Sequence, residues 1–221
     1  MSDQPRFEAR PHFSDLGLAI RISLVLWAIG LSLFVVMAVP VLEESAQVID
    51  DAIHSLAVDL EYAFPVAMAK ALDFVGSTPV TAPLILVVGA WLAFRKRWQA
   101  LTTWVLAMTV SQLFIGPVKN IYDRPRPPMP LVETSSWSFP SGHAVAGAAI
   151  AVALVIVLIP PGPKRRGWEV AAASFAVAMA LSRVYLRAHW LTDVVAGASL
   201  GVAIALASGA TVHWLADRRV G

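Results

Sequence analysis

The chain has no cysteine among its 221 residues, which excludes disulfides, thiolate metal sites and a cysteine nucleophile. Charge is also scarce: Asp, Glu, Lys and Arg make up 14% of the residues, against about 25% in a soluble domain. Apolar residues take their place, at 57% of the sequence with a mean hydropathy of +0.68. This is the composition of an integral membrane protein. No low-complexity segment or internal repeat is visible. The pI near 9.2 is compatible with nucleic-acid binding, but the bases fall in short clusters between apolar runs. That distribution follows membrane topology.

Six apolar runs approach spanning length, near residues 18–42, 79–94, 99–118, 143–160, 168–187 and 193–214. The first is too long for a signal-peptide core of ~7–15 residues and reads as a retained span. A crossing needs ~20 residues, so the shorter runs borrow flanking residues. Residues 43–77 differ. They carry Glu43, Glu44, Asp50, Asp51, Asp59, Glu61 and Asp73 against one base, Lys70. Ile49, Ile53, Leu56, Leu60 and Phe64 recur at helical spacing, giving an apolar stripe that ends at Pro65. This predicts an amphipathic helix on the outer surface or packed over the bundle, with His54 on its polar face. The fold expected is all-α: one polytopic membrane domain over 1–221, with six transmembrane helices and an amphipathic helical segment between spans one and two.

Base placement orients the spans. With both termini cytoplasmic, 11 of 17 Lys and Arg residues lie inside: Arg6, Arg10, Arg21, the triplets 95–97 and 164–166, and the pair Arg218 and Arg219. The inverted arrangement would leave six inside, so the positive-inside rule favours cytoplasmic ends. Apart from Lys70, the outer bases are then Lys119, Arg124, Arg126, Arg183 and Arg187. Their presence against the rule points to chemistry at that edge.

Three stretches meet there. Lys119 to Pro127 contains two Arg-Pro pairs that break a helix and stiffen a loop; alone, such bases also suit lipid head groups. Pro140-Ser141-Gly142-His143 opens the fourth span, where a helix start offers unpaired N–H groups to an anion, although Ser before a helix is commonly a plain cap. Ser182 to Asp193 holds His189 and Asp193 four residues apart, on one face if the helix is continuous. A carboxylate at one imidazole nitrogen fixes the tautomer and leaves the other as a nucleophile.

Taken together, Lys119-x6-Arg126-Pro127, Pro140 to His143, and Ser182-Arg183-x5-His189-x3-Asp193 resemble the motifs of the type 2 phosphatidic acid phosphatase superfamily, in its six-span bacterial lipid phosphatase branch. The resemblance covers residues 119–193, and every motif position is filled. It implies that His189 attacks phosphorus to form a phosphohistidine, with Asp193 orienting it. It implies that His143 protonates the leaving oxygen and then activates water. Lys119, Arg126, Ser141, the Gly142 N–H and Arg183 would hold the phosphoryl oxygens. Arg124 and Arg187 are not motif positions; they are candidates for a second phosphate, for head groups, or for neither.

These roles suit phosphoryl transfer, which demands charge neutralisation and in-line positioning. Two guanidiniums, an ammonium and helix-end donors supply them with no metal and no cofactor. A zinc site built from His143, His189 and Asp193 is the rival, opposed by the permanent cations beside it. The expected substrate is a membrane lipid phosphate at the outer face of the bacterial cytoplasmic (inner) membrane, with the site facing the periplasm or cell exterior. Undecaprenyl (polyprenyl) diphosphate is placed first, ahead of phosphatidylglycerol phosphate and phosphatidic acid. A lipid transporter or flippase would use the same bases without needing His189 beside Asp193. Phosphotransfer to a second lipid is a further alternative. No nucleic-acid partner is expected.

Overall fold

The structure, a computed structural model, describes residues 15–218. The expected N-terminal tail with Arg6 and Arg10, and Arg219, lie outside the described residues. Those described form eight helices with no strand: α1 Leu16–Ala38, α2 Pro40–Asp59, α3 Ala63–Gly76, α4 Thr78–Phe94, α5 Trp98–Tyr122, α6 Gly142–Leu158, α7 Pro163–Tyr185 and α8 Leu191–Asp217.

Local signals explain most boundaries. Asp15 caps α1, its Oδ1 accepting from the Leu18 amide at 2.8 Å. The first span was expected to reach residue 42, but Pro40 opens a new helix and α1 ends at Ala38. Proline is tolerated there because a first-turn amide needs no partner. The same rule corrects the reading of 43–77. This segment belongs to two helices, broken at 60–62, and Pro65 lies in the first turn of α3 instead of ending a stripe. Phe64 and Ile49 face outward, while Ile53 and Ala69 pack inward. α2 and α3 rest against α7, with α2 also touching α8, so the segment is packed over the bundle.

α1, α5 and α8 are long and apolar enough to cross a membrane, and α3 with α4 makes a fourth crossing if that pair, bent by 47°, is one span. α6 is apolar but has 17 residues, about 25 Å of helix. α7 begins on the basic cluster at Pro163, ahead of the expected 168.

α8 is the axis of the bundle, flanked by α6, α1 and α5. Small residues allow the close approach, as is usual where lipid supplies no hydrophobic drive between helices. A Cβ on Gly197 would stand 2.8 Å from the Ser141 carbonyl oxygen, and one on Gly201 would be 2.9 Å from Ala148 Cβ. A separate core joins Leu92 and Trp104 to Ile150, Ala153 and Val157, with Trp104 Nε1 donating to the Ile85 carbonyl at 3.0 Å.

Candidate active site

The ends of α5 and α7 and the starts of α6 and α8 meet at one edge of the bundle. α5 stops at Asp123, which adopts a left-handed conformation (φ 43°). The Arg-Pro pairs then hold the chain irregular until Ser141. Phe139 is fully buried and anchors this loop on α1, its ring 4.9 Å from Phe34 and 5.1 Å from Tyr122. The Ser141 amide donates to the Asp193 carbonyl at 3.1 Å, tying the start of α6 to that of α8.

His189 and Asp193 do not share a continuous helix, as the four-residue spacing suggested. α7 ends at Tyr185, α8 starts at Leu191, and His189 sits in the turn between them. The pair still meets, because Asp193 occupies the first turn of α8 and reaches back to accept from the Trp190 amide at 2.9 Å. His189 Nδ1 is 3.4 Å from Asp193 Oδ2, outside good hydrogen-bond alignment. Its Nε2 is 3.2 Å from Arg126 Nη1. A guanidinium can only donate, so Nε2 accepts and the ring proton sits on Nδ1, facing Asp193. His189 is 3% exposed. Burial drives its pKa down to about 3, with Asp193 opposing and Arg126 and Lys119 assisting, so the imidazole is neutral at pH 7.

Asp193 is held from several sides: by Arg124 Nη1 at 2.6 Å, by the Ser138 hydroxyl and by the Trp190 amide. Arg124 also donates to Asp50 at 2.7 Å, to Gln47 at 2.7 Å and to Thr192 at 2.7 Å. Its guanidinium is thus committed inside the protein, and Arg187 is likewise paired, with Glu61 at 2.9 Å. Neither is placed as a spare phosphate ligand.

The remaining motif residues lie around this pair. Arg126 Nε donates to the Ser136 carbonyl and Nη1 to the Ala188 carbonyl, both at 2.6 Å. Burial lowers the Arg126 pKa, with Arg183 nearby adding to the effect and Asp193 opposing it. Lys119 Nζ donates to the Trp137 carbonyl at 2.6 Å and to Ser136 Oγ at 3.3 Å. Arg126 and Arg183 are both within electrostatic reach of His143. Ser141 is fully buried and caps α6, its hydroxyl 3.4 Å from the Ala144 amide. Gly142 and His143 are half-buried at the helix start. An open polar depression of about 600 Å³, lined by Asn120, Arg126, Thr134, Ser135 and Ser136, lies alongside. Among the described residues, no group of three or more His, Asp and Glu side chains is arranged to hold a metal ion.

The structure brings in carboxylates that the motifs do not contain. Asp50 completes the Arg124 network, and Asp73 pairs with Arg183 and approaches His143 Nε2 at 3.3 Å. The excess of acid in residues 43–77 was the only sequence signal for either.

The model of the PAP2 superfamily matches residues 98–219, from the start of α5 through α8. The chain belongs to the PAP2 superfamily. Phosphatidylglycerophosphatase B of Bacillus subtilis is 31% identical over 175 residues, covering 76% of this chain and 86% of that protein. Decaprenylphosphoryl-5-phosphoribose phosphatase of Mycobacterium tuberculosis is 27% identical over 151 residues, 62% of this chain and 75% of that one. Among solved structures, the transmembrane PAP2 type phosphatidylglycerolphosphate phosphatase from Bacillus subtilis superposes with a TM-score of 0.74 at 28% identity. It covers 90% of this chain and 97% of its own. As a PAP2 member of this kind the chain is an all-helical integral membrane protein and a phosphoric ester hydrolase, a bacterial lipid phosphatase.

Proposed function

We propose that this PAP2 phosphatase is a metal-independent enzyme that removes a terminal phosphoryl group from a membrane lipid through a phosphohistidine on His189. The observation that carries the reading is the His189 ring, with Asp193 behind Nδ1 and the Arg126 guanidinium 3.2 Å from Nε2. A neutral imidazole with its lone pair beside a cation is poised to attack a phosphorus whose oxygens that cation binds. Nε2 bonds to phosphorus as the ester oxygen departs with a proton from His143. Water, deprotonated by His143, then cleaves the N–P bond and releases phosphate. Lys119, Arg126 and Arg183, with the Gly142 amide and Ser141 at the head of α6, neutralise the transferring group.

A lipid substrate is supported by an open apolar groove of about 520 Å³ between α2, α3 and α7. Leu56, Leu60, Met68, Leu72, Leu181 and Ser182 line it, and it runs up to the residues beside Asp73 and Arg183. Phosphatidylglycerol phosphate stands first among substrates, on the strength of the relative at 31% identity. Undecaprenyl diphosphate stands second, in line with the decaprenyl-linked relative. Its support from extra outer bases falls away, because Arg124 and Arg187 are engaged internally. Six crossings with cytoplasmic ends would place the site at the outer face of the cytoplasmic membrane.

Purified protein offered phosphatidylglycerol phosphate, phosphatidic acid and undecaprenyl diphosphate tests this reading. Wild type should release phosphate and His189→Ala should not, and an acid-labile, base-stable phosphoryl label should remain on quenched wild type. Equal release by both proteins sinks the mechanism. Binding without release favours a lipid carrier, and a phosphorylated acceptor lipid in place of phosphate would indicate phosphotransfer. Sealed vesicles of known orientation test the placement of the site.

A further inference from the structure

α3 enters the site from a part of the chain that precedes the family match at residue 98. Asp73, in its last turn, accepts a hydrogen bond from Arg183 Nη1 and holds the same Oδ1 3.3 Å from His143 Nε2. Three residues on, and so on the same helix face, Gly76 lies against the imidazole edge. A Cβ there would stand 2.7 Å from His143 Cδ2 and 3.0 Å from Met179 Cε. The 47° bend between α3 and α4 follows immediately and lets this turn press on the site. The His143 ring is therefore approached twice by α3, at a nitrogen within ion-pair distance and along a carbon edge.

We infer that Asp73, with Gly76, positions His143 for protonation of the leaving group and couples it to the arginine that holds the phosphoryl oxygens. The inference rests on the reading of His143 as the acid. A carboxylate at one ring nitrogen fixes the orientation of the other. Nε2 lies within ion-pair distance of Asp73 but outside hydrogen-bond alignment, so the pairing tightens when His143 is protonated and leaves Nδ1 for the transfer. As the P–O bond breaks, the proton on Nδ1 passes to the departing alkoxide. In the second step Nδ1 takes a proton from the attacking water. Because one carboxylate touches both His143 and Arg183, the acid and the phosphate clamp are held in mutual register, and small errors in such register are costly.

The test uses two leaving groups. An alkoxide must be protonated as it leaves, whereas p-nitrophenolate departs without help. Full-length wild type, Asp73→Asn and Gly76→Ala are assayed in detergent on dioleoyl phosphatidic acid and on p-nitrophenyl phosphate. Each variant should lose at least about tenfold more kcat/KM on the lipid ester than on the aryl ester, within the range that general acid catalysis contributes, because kcat/KM reports the first transfer and not the shared hydrolysis of the phosphohistidine. KM for the lipid should change less than kcat. An equal loss on both substrates, or no loss on either, overturns the inference. The aryl ester also reports on folding, and Gly76→Ala keeps the test open if Asp73→Asn does not fold, because it disturbs the ring from its other edge. Wild type hydrolysing both esters while His189→Ala hydrolyses neither preserves the phosphatase reading when the Asp73 inference fails. Absence of wild-type turnover overturns both.

Discussion

The pair α6 and α8 and the pair α2 and α3 solve opposite problems. The first pair is built of Ala, Gly and Val, lies largely buried, and packs backbone on backbone through Gly197 and Gly201. The second pair is largely exposed, with few buried residues among its 34 positions. Yet its acids meet the outer bases one by one: Asp50 with Arg124, Asp73 with Arg183 and Glu61, in the connection between them, with Arg187. One pair fixes where the chemistry occurs. The other balances its charge. An edge rich in guanidiniums would repel itself when no phosphate is bound, and carboxylates from a neighbouring segment relieve that repulsion.

The comparison can be broken at several points. The largest effect should come from the turn that feeds α8: His189→Ala should lower kcat by roughly 10⁴-fold or more, as loss of a nucleophile does elsewhere, measured by phosphate release. Arg126→Ala should cost about 10²–10³-fold in kcat/KM, the scale of one lost oxyanion donor. Arg124→Met leaves Asp50 and Asp193 buried without their partner and should cost about 3–5 kcal/mol of stability, read as a fall in Tm in detergent. Adding Asp50→Asn should recover part of that loss. Failure to recover would show that the acid of α2 is a bystander.

Acid should weaken the fold through His189. Its folded pKa, about 3, lies below the ordinary 6.5, so the unfolded chain takes up the proton first and stability falls as pH drops from 6.5 toward 3. The contribution is at most about 1.4 kcal/mol per pH unit. Thermal unfolding across that window should be flatter for His189→Asn than for wild type. The smallest effect belongs to Glu61→Gln. Its carboxylate is 45% exposed while Arg187 is buried, so water can replace it only in part and Tm should fall by less than in Arg124→Met.

The motif residues were legible because three short stretches carry them, and the structure gathers those stretches at one edge. Their geometry was less so. The spacing of His189 and Asp193 reads as one helical turn, and nothing between Leu186 and Trp190 is a Gly or Pro that would announce the break. The structure reaches the same proximity by a different route, with Asp193 closing the first turn of α8. Val41 and Leu42 extend the apolar run of the first span, so hydropathy overran Pro40 there. Asp73 was out of reach for another reason. It is 110 residues from Arg183, and no local pattern links two charges that only the bundle brings together.

Two helices begin at the active edge, and each presents the positive end of its dipole there. α8 spends that potential internally, since Asp193 takes the Trp190 amide and Asp50 takes the Thr192 amide at 3.0 Å. α6 begins with only a hydroxyl, 3.4 Å from the Ala144 amide. An incoming anion therefore finds one helix already neutralised and the other still open. If α6 receives the phosphoryl group as proposed, part of the attraction comes from its main chain, where neither protonation nor the exchange of any single side chain removes it.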